Sequence, residues 1–309
     1  MSQVLPPLSD WDGAELCTLL PILSVILSSK VVVQDDTSVT LTKILSDLVG
    51  YALNEEALGA SRSAAASCAF SIVASYQYKD NACIGLRLLH DHIFPTIVCG
   101  IQAEGITSDI KISDSLFDAI NLAAMIASAA SQRGTKSSIT ADEVATFFVL
   151  VACEGAARSP ALGVTTTLDC NNDNIKRSAA MALGAILSVN GSPFAKQRLA
   201  HMIIPIVLSS SQIRSSRFSS ADIGFLLCAC HIVCCVPVKA IGQENLSGLV
   251  SAIVEGLEGV LQHTFSADDS SSSKPAIVNQ LISLLLAALL KVYNQSLSCV
   301  SEVFYYSLL

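Results

Sequence analysis

At 309 residues the chain has length for one to three domains, and 51% of it is hydrophobic, with 14% charged and a mean hydropathy of +0.56. The net charge is −8 and the pI is near 5.0, with the eighteen Lys and Arg scattered along the chain. That argues against phosphate-backbone binding, which needs clustered basic residues. The longest apolar runs, residues 223–236 and 281–290, fall short of the roughly 20 residues of a spanning helix, so no membrane span is expected.

Apolar periodicity predicts eleven helices and no strand. They cover residues 14–28, 39–53, 60–76, 84–102, 114–131, 141–156, 174–189, 194–209, 221–236, 243–262 and 275–297. Residues 1–13 read as an N-terminal extension without a basic leader, since Asp10, Asp12 and Glu15 interrupt the start. The β-branched run 30–33 has no partner strand and reads as a loop. Ser113, Thr140 and Ser220 can cap first turns, and Thr140 with Glu143 fits a capping box. Gly134 and Gly191 mark helix ends, while Pro193 and Pro237 open new segments. Residues 157–173 carry Pro160 and Gly163 and read as a polar loop. Residues 266–274 (S-A-D-D-S-S-S-S-K) have nothing to bury and read as a second loop.

Two segments recur. Residues 62–73 (R-S-A-A-A-S-C-A-F-S-I-V) parallel residues 175–187 (I-K-R-S-A-A-M-A-L-G-A-I-L), with a basic residue ahead of small and then larger apolar ones. Arg62 and Lys176 are 114 residues apart, about three periods of 38. A second element holds Pro21, Pro95 and Pro205, each in an apolar helix that it is expected to kink or to occupy at an early turn. Repeats of this length are supersecondary units that stack along one axis. The expected fold is therefore all-α, a right-handed α-solenoid of HEAT/armadillo-like hairpins spanning residues 14–309 as one domain, its last repeat incomplete.

Candidate sites are sparse. G-x-S-x-G, H-E-x-x-H, Walker and dinucleotide motifs are absent from the sequence, and no catalytic, cofactor-binding or metal residues are assigned; the chain is not expected to be an enzyme. His90 and His92 flank Asp91, but residues two apart on a helix do not face each other. Cys228, Cys230, His231, Cys234 and Cys235 sit in an apolar helix rather than in loop knuckles, so they read as buried small side chains. The eleven cysteines show no disulfide-framework spacing. The densest basic group, Lys196, Arg198, Arg214 and Arg217 with His201, reads either as a solvated face or as a docking patch for an acidic protein surface.

Residues 175–187 resemble the first helix of a HEAT repeat, and the proline-bearing helices resemble second helices. The order of segments is similar to the C-terminal region of the MMS-nineteen family, the large HEAT-repeat adaptors of cytosolic iron–sulfur protein assembly. The stretches that carry this are A-K-Q-R-L-A-H-M-I-I-P-I-V-L (195–208), V-C-C-V-P-V (233–238) and L-S-G-L-V-S-A-I-V-E-G-L (246–257). The resemblance implies a non-enzymatic scaffold without a cofactor of its own. It would bind assembly-complex subunits and apo-proteins awaiting clusters, in cytoplasm and nucleus, and support DNA repair and transcription indirectly. The chain is much shorter than the family's full-length members and stops at S-E-V-F-Y-Y-S-L-L, where the family continues with further repeats that contribute to docking. A different HEAT or armadillo scaffold, of the transport-receptor or phosphatase-subunit type, is the alternative.

Overall fold

The computed structural model describes residues 12–28, 37–75, 81–106, 112–131, 141–188, 193–213, 223–266, 279 and 281–294. These are overwhelmingly helical. The first helices are α1 (Gly13–Ser28), α2 (Thr37–Ala52), α3 (Gly59–Ala74), α4 (Asn81–Leu88), α5 (Phe94–Glu104) and α6 (Asp114–Ser131). Then follow α7 (Ala141–Glu154), α8 (Asp173–Ser188), α9 (Pro193–Ile213), α10 (Ile223–Cys235), α11 (Val238–Ile241) and α12 (Gln243–Ser266). Residues 281–294 are also helical. Thr140, Ser220, Gly134 and Gly191, the run 30–33 and residues 267–274 lie outside the described residues.

The packing order has a regular sequence. Helix α1 packs on α3, α3 on α6, α6 on α8, and α8 on α10. A second set lies alongside: α2 packs on α3, α4 and α5 on α6, α7 on α8, and α9 on both α7 and α10. Each helix thus buries its apolar side against neighbours close to it in the chain. Phe94, Phe147 and Phe148 join α5 to α7, with the Phe94 and Phe147 rings edge-to-face at 5.2 Å. The recurrence seen in the sequence has a structural counterpart. Arg62 and Lys176 are each the fourth residue of their helix, and each is buried, at 7% and 8% exposure.

The prolines act in two ways. Pro21 and Pro205 lie inside α1 and α9, which continue through them. Pro95 instead follows a π turn, Leu89–Ile93, closed by the Phe94 N–H donating to the Leu89 carbonyl. Proline cannot donate to the carbonyl four residues back and crowds it, and a wider turn moves that carbonyl aside. The predicted helix over 84–102 is therefore helical throughout, with one wider turn at Leu89–Ile93.

One expectation needs correction. Residues 157–173 are not a plain loop, and the fold is not free of strand. Ala156–Ser159 (β1) and Val164–Asp169 (β2) form an antiparallel hairpin, joined by a 3-10 turn over Pro160–Leu162 and by Gly163 at φ 79°. Pro160 and Gly163 are the hairpin's turn rather than signs of an open loop. The pattern V-T-T-T-L buries Val164 and Leu168 and exposes the three threonines. An isolated two-stranded hairpin is marginal in water; this one lies against α5 and α7. Its base is tied by three contacts. The Cys170 N–H donates to the Gly155 carbonyl, the Asn171 N–H to the Gly105 carbonyl (both 2.6 Å), and Asn172 Nδ2 to the Glu104 carbonyl at 3.2 Å. Asn172 Oδ1 accepts the Asn174 N–H at 2.9 Å and so caps α8. Gly155 turns the chain from α7 into β1 at φ 65°, where an added Cβ would lie 2.6 Å from the Cys170 carbonyl oxygen.

Candidate functional site

The α2–α3 loop, α5 and the first turn of α6 leave a cleft of about 450 Å3 between them. Glu55, Glu104, Ser113 and Ser115 supply its polar side, and Pro95 and Leu116 are among its apolar residues. Local sequence explains the geometry. Ser113 is the cap that the sequence predicts: its Oγ accepts the Leu116 N–H at 3.4 Å. Its own N–H donates to Glu104 Oε2 at 2.9 Å. Ser115 Oγ donates to Glu55 Oε1 and lies 3.3 Å from Ser113 Oγ. Two carboxylates are thus joined through two serines across the N-terminus of α6, where a helix dipole favours negative charge. Helix α5 reaches α6 this closely because Gly100 has no Cβ; one added there would lie 2.8 Å from Leu116 Cδ1.

Arg62 holds the loop that carries Glu55. Its Nη1 donates to the Glu55 and Asn54 carbonyls at 3.3 and 3.5 Å. Its Nε lies 3.0 Å from Asp118 Oδ2, and its Nη2 4.0 Å from Asp114 Oδ2. Burial pushes the Asp118 carboxyl up from its usual range more strongly than the Arg62 charge pulls it down.

The basic patch looks different in three dimensions. Arg214 and Arg217 lie outside the described residues. Arg198 on α9 pairs with Asp142 on α7, a carboxylate only 11% exposed, so its charge serves the contact between helices as well as the surface. Burial pushes Asp142 up, with Arg198 opposing. Lys196 is half-buried on the same helix.

The Cys and His residues of α10 divide among different surroundings. Cys228 and Cys230 are fully buried, and Cys234 and Cys235 half-buried. Burial pushes the Cys230, Cys234 and Cys235 thiols up, and a hydrogen bond with Cys153, then burial, pushes Cys228 up, which keeps all four protonated and slow to react. The His231 ring lies over Gly184 of α8, where an added Cβ would meet it at 2.5 Å. Its Nε2 is buried without a hydrogen-bond partner, and burial lowers its pKa. Among the described residues no group of three or more His, Cys, Asp or Glu side chains could hold a metal ion. On the π turn, His90 Nδ1 contacts Asp91 Oδ1 at 2.8 Å in an exposed setting.

No family model, curated protein or solved structure matches this chain.

Sequence reasoning missed the cleft. Its carboxylates come from a turn at 54–58 and from the last residue of α5, about fifty residues apart, and the packing of both α3 and α5 on α6 brings them together. It also missed Lys291, whose Nζ donates to the carbonyls of Cys234, Val233 and Val236 at 2.7, 2.9 and 3.1 Å. That lysine caps the C-terminus of α10, where a cation complements the dipole. Asn172 followed by Asp173 was a readable cap signal for α8.

Proposed function

We propose that this protein is a non-enzymatic protein-interaction scaffold, built as a right-handed HEAT/armadillo-type solenoid. The observation that carries this reading is the packing series α1–α3–α6–α8–α10 with companion helices alongside. A series of that kind makes an extended surface from several helices, the usual basis of partner binding in helical repeats. The equivalent burial of Arg62 and Lys176 supports a repeated unit. No helix among the described residues is long and apolar enough to cross a membrane, which fits a scaffold without a membrane span.

The specific role proposed is that of an iron–sulfur assembly adaptor. It rests on the sequence stretches 195–208, 233–238 and 246–257 and their likeness to the MMS-nineteen family. In this role the chain binds assembly subunits and apo-clients in cytoplasm and nucleus, without a cofactor of its own. Lys196, Arg198, Arg214 and Arg217 remain a proposed contact for an acidic partner. Affinity purification of the tagged chain followed by mass spectrometry tests the role. Recovery of assembly subunits and iron–sulfur apo-proteins supports it. Recovery of transport or phosphatase partners instead replaces it with the alternative scaffold reading.

A further inference from the structure

We propose that the seam between α8 and α10 is an acid-sensitive joint: protonation of His231 loosens the second half of α10 from α8, while the first half stays docked and serves as the hinge. The joint goes beyond the scaffold reading and does not depend on which partner the stack binds.

The two helices run side by side in the same direction. Gly224, at the start of α10, sits so close to α8 that an added Cβ would lie 3.1 Å from Lys176 Cβ and 3.3 Å from the Lys176 carbonyl oxygen. The same Cβ would lie 2.7 Å from the Ala152 carbonyl oxygen of α7. About two turns further along each helix, the His231 ring faces Gly184. A Cβ on Gly184 would meet three ring atoms at 2.5 to 2.7 Å, so the ring fills the seam and has no room to turn toward α8. Close backbone contact therefore holds one end of the joint, and a titratable ring holds the other.

A proton on that ring finds nothing to receive it. Among the described residues His231 Nε2 has no hydrogen-bond partner, and it is shielded from solvent. A neutral imidazole can present an unprotonated nitrogen there. An imidazolium must present an N–H without an acceptor, and a charge with it. The residue as a whole is half-buried, so a proton reaches the ring without the seam opening first.

The helices around α10 supply no counter-charge. On α10 itself, Cys228 and Cys235 lie one turn from His231, and both thiols are held protonated. From α8, Lys176 is at the Gly224 end. From α7 and α9, Asp142 and Arg198 are paired with each other, and Lys196 adds only positive charge near Cys235. Glu244, Glu255 and Glu258 of α12 are exposed. The carbonyls at the C-terminus of α10, which would favour a cation, are taken by Lys291 from the helix over 281–294. Burial is the one influence that shifts the ring, and it lowers the pKa.

Opening the seam returns the ring to water and to its ordinary value of about 6.5. Opening thus takes up a proton. It is suppressed above that value and favoured by up to about tenfold per pH unit as pH falls toward the folded value. In a one-dimensional stack a single loosened contact separates the helices on its two sides. Helix α9 packs on both α7 and α10 and spans the break.

Hydrogen exchange of the full chain, read by mass spectrometry at about pH 7.5 and about pH 5.5 and corrected for the chemical exchange rate, tests the joint. In wild type the opening constant for amides of 179–187 and 228–235 should rise severalfold, to at most about tenfold, at the lower pH. That rise should depend weakly on added low urea, because a seam exposes little surface, whereas α3 amides that exchange through global unfolding should depend on it steeply. His231→Phe keeps a ring in the seam and cannot titrate, so its opening constant should be the same at both pH values. If thermal unfolding shows that this variant is not folded, His231→Gln, which also carries no titrating ring, takes its place with the same expectation. No acceleration in wild type, acceleration with the steep urea dependence of α3, or equal acceleration in the non-titrating variant overturns the proposal.

Discussion

The Nε of Arg62 lies 3.0 Å from Oδ2 of Asp118, and this ion pair joins α3 to α6 while the same guanidinium holds the turn between α2 and α3. Three helices therefore depend on one side chain that is 7% exposed. Arg62→Ala leaves Asp118 without its main counter-charge and two loop carbonyls without their donor. A loss of about 2 kcal/mol is expected, the scale of hydrogen bonds to charged groups. Arg62→Lys should recover only part, because an ammonium lacks the planar fork that serves both directions. Urea unfolding of the three proteins checks this; a Lys variant as stable as wild type would refute the forked role.

Gly184 of α8 lies directly against the His231 ring of α10. Gly184→Ala sets a methyl 2.5 Å from the imidazole. The expected cost is about 1–3 kcal/mol, typical of overpacking. In the double variant with His231→Ala, much of that cost should vanish, giving a coupling that independent sites do not show. Additive losses in thermal or urea unfolding would mean that the two positions do not share the strain.

How much of this was legible in the sequence depends on the range of the cause. Helix α6 was read to its ends because Ser113 and the small-residue run define it locally. The Arg62/Lys176 recurrence marked equivalent helix positions because a buried cation ahead of small residues is a local pattern too. The hairpin was missed because Pro160 and Gly163 look the same in a loop and in a tight turn. Its strands are stabilised by α5 and α7, which the local pattern does not report. The π turn was missed because the sequence signals a disturbance at Pro95 but not its form. The cleft was illegible for the same reason as Lys291: each depends on segments that only packing brings together.

The His231 titration sets a pH dependence. Burial lowers its folded pKa below the ordinary 6.5. A depressed pKa gives a contribution that is complete above 6.5 and lost as pH falls through the folded value. Asp118 and Asp142 have raised values, so their contribution is present below 3.8 and lost as pH rises through the folded values. As pH falls from neutrality the His231 contribution is lost while the Asp118 and Asp142 contributions return, so of these three groups only His231 lowers stability on acidification. Wild type should lose urea resistance between about pH 7.5 and 5, and His231→Phe should lose less. Parallel losses in both would remove His231 as the cause.

Arg198 and Asp142 make charge reversal of the basic patch a compound experiment. Arg198→Glu alone sets two carboxylates together at a buried position and should destabilise the contact of α9 with α7 by about 1–3 kcal/mol. Arg198→Asp/Asp142→Arg restores opposite charges and should recover part of the loss. Lys196→Glu, on a half-buried residue, tests docking with less damage. If Arg198→Glu unfolds at the wild-type midpoint, the pair contributes nothing to the fold.

The central claim is a stack of repeated helix pairs that offers an extended binding surface. Small-angle scattering of the pure protein measures its overall dimensions directly. A compact chain of 309 residues would have a radius of gyration of about 19 Å. The stacked arrangement predicts a clearly larger radius, with a pair-distance distribution skewed toward a long tail. A symmetric distribution with a radius near about 19 Å would contradict it.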